Sequence, residues 1–131
     1  MNLEDVRAGD LMTKTVLSVA AHEPLRAAAK KLSENRIHCL VVTPARPGRA
    51  VGVLTTKDII QVLCDGEPGM IDQLQVADVM TTPAVTVQKD FAALDCIRLM
   101  RHAGVRSAPV LEGTALVGLL SFTDVLRLVA T

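Results

Sequence analysis

DLMT at residues 10–13 returns as DVMT at 78–81, and the same displacement of 68 residues carries Ser18-Val19 onto Thr86-Val87, Ile37 onto Val105 and Val42 onto Val110. Past the loop TPARPGRA, two residues longer in the first copy, the displacement falls to 66 and GVLTTKD at 52–58 lies on GLLSFTD at 118–124. An internal repeat restricts the fold more than composition does, because both copies must take the same local structure. A unit of this size buries only about 60% of the surface that its unfolded chain exposes. Neither copy is therefore expected to stand alone, and the two are expected to pack as a pseudo-two-fold pair around a shared crevice, where α/β folds hold ligands. The boundaries read as a lead segment 1–9, a first repeat 10–63, a connector 64–77 rich in Gly, Pro and acidic residues, and a second repeat 78–129.

Within each copy the hydrophobic period changes in the same order. Residues 15–19 and 84–87 read as short strands, and each is followed by a helix-entry signal, Pro24 at a first helical position and Asp90 as an N-cap. Leu25, Ala28, Ala29 and Leu32 then fall at i, i+3, i+4 and i+7, and their counterparts Ala93, Cys96, Ile97 and Met100 form the same apolar stripe. CLVV and AVGVL in the first copy, SAPVL and ALVGLL in the second, read as two further strands joined by PARPG and EGT. A last helix runs over 57–63 and 123–129. The expected class is α/β (α+β), with two β-α-β-β-α repeats.

Composition removes several classes of function. Half of the 131 residues are apolar and 21% are charged, enough for an ordinary core and against disorder. Fourteen basic side chains balance 14 acidic ones, so the positive field of a nucleic-acid binder is missing. Phe91 and Phe122 are the only aromatics, too few to stack single-stranded bases. No apolar run approaches the roughly 18 residues of a membrane span, and the opening MNLEDVRAGD carries charges where a signal peptide needs an apolar stretch. The expected setting is the cytoplasm, with no membrane partner. Cys39, Cys64 and Cys96 include no CxxC pair and read as reduced, small core residues.

The repeated TTKD and SFTD have two physical readings. As a capping box, the Thr55 or Ser121 hydroxyl accepts from the backbone N–H three residues on, while Asp58 or Asp124 reaches back to another orphan donor. As a ligand site, the helix start favours an anion, the hydroxyl adds a hydrogen bond, and the carboxylate accepts from both hydroxyls of a ribose.

DLMT and DVMT, the strand and helix after each, and the endings GVLTTKD and GLLSFTD, twice and in order, make the chain resemble a tandem pair of CBS (cystathionine β-synthase type) domains, a Bateman module. The resemblance covers residues 10–63 and 78–129 and implies a flat pseudo-symmetric pair whose cleft takes AMP, ADP, ATP or S-adenosylmethionine as a regulatory ligand, with no cofactor required. Carried over by position, Asp58 and Asp124 would hold ribose hydroxyls, and Thr55 and Ser121 would lie by ribose and phosphate. Ile37-His38-Cys39 and Val105-Arg106-Ser107 would line the base and phosphate region, with Ser18 and Thr86 as weaker members. Arg106 meets a phosphate with a charged fork whereas His38 does so only when protonated. The set Asp124, Ser121, Arg106 is accordingly expected to hold phosphate better than Asp58, Thr55, His38.

Other residues read as structural. His38 and Cys39 are strand neighbours that point to opposite faces, and a zinc site needs more ligands than two. His22, His102, Lys30, Lys31, Arg98 and Arg101 read as solvated; Lys57 has Thr123 as its counterpart. No nucleophile-base pair or GxxxxGK[ST] phosphate loop is present, so an enzyme is not expected. The leading expectation is a non-catalytic nucleotide-sensing module that forms a homodimer and signals to an effector protein in trans. The alternative is a purely structural or partner-binding module with an empty cleft.

Overall fold

A computed structural model describes residues 3–130; residues 1 and 2 of the lead segment lie outside the described residues. In chain order the elements are α1 (Ala8–Leu11), β1 (Ser18–Ala20), α2 (Leu25–Asn35), β2 (Cys39–Thr43), β3 (Gly52–Thr55), α3 (Thr56–Asp65), β4 (Val87–Gln88), α4 (Ala93–Ala103), β5 (Ser107–Glu112), β6 (Ala115–Ser121) and α5 (Phe122–Ala130), with short 3-10 turns at Leu3–Asp5, Met70–Asp72 and Val76–Asp78. They divide into two compact units, residues 17–84 and residues 3–16 with 85–130.

Each unit has one three-stranded sheet. In the first, β1 runs parallel to β2 and β2 antiparallel to β3; in the second, β4 is parallel to β5 and β5 antiparallel to β6. The parallel pairs need the crossover helices α2 and α4. Leu25, Ala28 and Leu32 of α2 pack onto Leu40, Val42 and Leu54 of the first sheet. Cys96 and Met100 of α4 pack onto Ala108, Val110 and Leu120 of the second. With aliphatics filling both cores, each fully buried Leu or Val contributes about 1.5–3 kcal/mol of transfer free energy.

The repeat is longer in space than in its legible motif. Ala93 N–H, at the start of α4, donates to the Val6 carbonyl at 2.8 Å, and Leu25 N–H, at the start of α2, donates to the Leu74 carbonyl at 2.9 Å. Ala8 N–H bonds Phe91 O as Val76 N–H bonds Glu23 O, and Arg7 N–H reaches Asp10 Oδ2 as Gln75 N–H reaches Asp78 Oδ2. All these pairs are related by the displacement of 68. The segments before DLMT and DVMT are thus backbone caps for the crossover helices.

This corrects the helix-entry reading. Asp90 lies in the turn before α4 and Ala92 holds the N-cap position; Pro24 is itself the N-cap of α2, with no side-chain cap bond at either. A carbonyl from a distant segment does the work for which a side-chain cap was expected. The first strands also start later than expected, at Ser18 and Val87, because only three and two residues respectively find ladder partners.

Candidate functional site

The two glycines of the repeated motif owe their place to close backbone approach. Thr13 and Leu119 exchange N–H···O bonds of 2.9 and 3.0 Å, and Thr81 and Val53 do the same at 2.9 and 3.0 Å. The chain beside each bridge leaves no room for a side chain. A Cβ on Gly118 would stand 3.0 Å from Thr13 O and 2.5 Å from Met12 Sδ, and one on Gly52 would stand 3.0 Å from Thr81 O. DLMT of the first copy therefore lies against the sheet of the unit that holds the second copy's strands, and DVMT lies against β3.

Both capping boxes are present. Thr55 N–H and hydroxyl donate to Asp58 Oδ2 at 2.8 and 3.0 Å, and Asp58 N–H donates back to Thr55 Oγ1 at 3.3 Å. Ser121 and Asp124 repeat this at 2.8, 3.1 and 3.3 Å. In each pair one carboxylate oxygen is committed to starting the helix. The second oxygens differ. Asp58 Oδ1 has no hydrogen-bond partner among the described residues, and the half-buried side chain borders a concavity of about 400 Å³ with Gln61, Val62, Asp65 and Asp78. Asp124 Oδ1 accepts from the Thr13 hydroxyl at 3.2 Å and from the Arg127 guanidinium, and the residue is only 4% exposed.

The remaining residues singled out in the sequence fall into three places. Cys39 opens β2 opposite Thr55 in the ladder, and Ser107 opens β5 opposite Ser121, so both sit beside their copy's acid-hydroxyl pair. Ile37 and exposed His38 line a different, mainly apolar concavity of about 420 Å³ between α2 and α3, with Leu32, Thr56 and Ile59. The structure does not bring them to the concavity that Asp58 borders. Val105 is half-buried against the second core, and Arg106 is exposed with its guanidinium unpartnered among the described residues. Ser18 begins β1 and Thr86 stands just before β4, both half-buried.

Sequence reasoning missed Thr13 and Arg127. Thr13 belongs to the repeated DLMT, but nothing local ties it to a residue 111 positions away. Arg127 offered no signal, because its counterpart in the first copy is Gln61.

Burial, and next the Asp58 charge, push the Cys39 thiol up to about 11. Cys64 is exposed and Cys96 buried. A maleimide at neutral pH is expected to label Cys64 first, Cys39 slowly and Cys96 only after unfolding, as read by intact mass. Equal labelling of Cys39 and Cys64 would contradict this burial. Because the folded thiol holds its proton more tightly than the unfolded one, its contribution to stability is whole below about 9 and is lost as pH rises toward about 11.

No cluster of three or more His, Cys, Asp or Glu is placed to hold a metal among the described residues, and no helix there is long and apolar enough to cross a membrane.

Comparison with known proteins agrees with this architecture. An uncharacterized protein of Methanocaldococcus jannaschii, MJ1404, is 27% identical over 98% of this chain, which spans 33% of that protein's length. The crystal structure of an uncharacterized conserved protein from Pyrococcus horikoshii matches with a TM-score of 0.86 at 25% identity, over 100% of this chain and 96% of that one. The CBS domain pair of protein MJ0100, solved in complex with 5′-methylthioadenosine and S-adenosyl-L-methionine, matches with a TM-score of 0.82 at 21% identity, over 95% and 96% of the two chains, which bears on the fold alone. The family model of the CBS domain matches residues 8–65 and again 76–131. With two three-stranded α/β units and two family matches, the chain belongs to the CBS domain family as a tandem pair.

Proposed function

We propose that the chain is a non-catalytic regulatory module that binds an adenosine-containing ligand at its acid-hydroxyl helix starts and signals, as a homodimer in the cytoplasm, to an effector protein in trans. The observation that carries this is Asp58: one oxygen is spent on the capping box, the other is unengaged, and the side chain borders a concavity of about 400 Å³. That volume is within the range of small-molecule sites. A carboxylate with a free oxygen, next to a hydroxyl, suits a ribose diol. Thr55 and Cys39 adjoin it in the first copy. Asp124, Ser121 and Ser107 form the matching set in the second, with Arg106 as an unpartnered cation nearby in sequence. Ser18, Thr86, Ile37, His38 and Val105 remain second-rank members.

Charge narrows the ligand. Asp58, Asp65 and Asp78 give the concavity an acidic lining, which repels a polyphosphate and attracts the sulfonium and ammonium of S-adenosylmethionine. S-adenosyl-L-methionine and 5′-methylthioadenosine, both bound in the crystal structure of the CBS domain pair of protein MJ0100, are therefore the first compounds to test. In a thermal-shift series, S-adenosylmethionine at a hundred times its dissociation constant should add about 2.7 kcal/mol, several degrees for a domain of this size. ADP and ATP are expected to shift the transition less, with 5′-methylthioadenosine and AMP between.

Exposed Ile60 and Leu63 on α3 and Leu126 and Val129 on α5 favour a second reading, a structural or oligomerisation module in which the capping box is the whole purpose of the motif. No shift with any adenosine compound, together with a stable dimer, would decide for it.

A further inference from the structure

We propose that Arg127 is a built-in lock that closes the second copy's acid-hydroxyl helix start, so that the chain takes ligand at the Asp58 start alone; this rests on the reading of that site given above. The chain supplies its own comparison. Both helices begin with the same capping box at nearly the same distances, and each has a leading Thr bridged to the strand behind it. They diverge at two points: the Thr13 hydroxyl bonds Asp124 while no bond from the Thr81 hydroxyl to Asp58 is present among the described residues, and a turn into the helix Arg127 stands in α5 where α3 has Gln61.

A carboxylate has about four acceptor positions. At Asp124 four donors take them: Ser121 N–H and hydroxyl on Oδ2, Thr13 hydroxyl and Arg127 guanidinium on Oδ1. A ribose diol would have to displace a charge-assisted contact to a buried acid, and its own neutral hydroxyls return less than that contact gives. At Asp58 the second oxygen is open and exposed Gln61 lies on the rim of the same concavity. The lock is made from the solvent side, since the Arg127 side chain is 68% exposed. Thr13 makes a longer 3.2 Å bond, and its hydroxyl can rotate away. The acid set that Arg106 favours in the sequence thus becomes the closed one.

Exchanging the two residues tests this, and both are exposed, so neither change threatens the fold. Isothermal titration of the full chain with S-adenosylmethionine should give one site per chain in the unmodified protein. Gln61→Arg should weaken binding at least tenfold, and Arg127→Gln should bring the stoichiometry to two. Two sites in the unmodified chain, or full binding by Gln61→Arg, would overturn the lock. If no variant binds any adenosine compound, the functional proposal fails and the lock is judged without ligand. Arg127→Gln and Asp124→Asn should each lower Tm, and the double variant should fall no further than Asp124→Asn. Additive losses would show that Arg127 does not hold Asp124 and would overturn the lock too.

Discussion

Leu120→Ala is expected to cost about 3 kcal/mol, within the 2–5 kcal/mol found for leucine truncations in well-packed cores. Leu120 is fully buried in β6, paired with Ala108 on β5 and packed in the cluster of Val87, Cys96, Met100 and Val110. The lost methyl groups account for some of the cost and the cavity left behind for the rest. Relief by collapse is limited, because the neighbours on the helix side are anchored by the Ala93 N–H bond to Val6 O and the strand by its ladder. Against a total stability of about 5–15 kcal/mol for a domain of ordinary size, this is a large share. Urea unfolding at unchanged m-value is the measurement. A loss below about 1 kcal/mol would mean that the site is not packed as described.

Asp124→Ala should cost about 3 kcal/mol, while Asp58→Ala should cost about 1 kcal/mol, the ordinary value of a lost cap. Both substitutions remove a capping box. Only Asp124 also ties the leading segment, through the Thr13 hydroxyl, to a nearly buried acid that holds Arg127. Bonds to a charged acceptor are worth more than neutral ones, and their loss leaves the Ser121 donors without a partner in a part-buried setting. The Arg127 contact adds to the difference, since it is made to an acid that is only 4% exposed, although the released head itself is solvated. Parallel urea titrations of the two variants read the contrast directly. Equal losses would show that Asp124 does no more than Asp58, and the asymmetry between the two helix starts would fall with it.

The legible portion of the fold was whatever depends on near neighbours. The stripes Leu25-Ala28-Leu32 and Ala93-Cys96-Met100 are helical because i, i+3, i+4 spacing puts them on one face, and both copies show it. The capping boxes of Thr55 and Ser121 were readable for the same reason, since both partners lie three residues apart. Asp90 misled because a good N-cap residue loses to a backbone carbonyl that arrives from Val6, far away in sequence. The candidate site was legible to the same extent. Its acid-hydroxyl pairs came from local spacing, whereas the placing of Ile37 and His38 on a separate concavity between α2 and α3 depends on how those helices meet.

By itself, then, the sequence determined that the chain is duplicated, that each copy runs strand, helix, strand, strand, helix, and that each ends in a helix begun by an acid and a hydroxyl. Tertiary structure alone decided that residues 3–16 pack in one unit with the second copy's strands, that Gly52 and Gly118 lie under passing backbone, and that Asp124 is filled while Asp58 keeps an open oxygen. The physical reason is range. Hydrogen-bond and hydrophobic periodicities act over a few residues and leave their mark in the sequence, but whether a carboxylate meets Thr13 depends on a contact spanning 111 positions that no local pattern encodes.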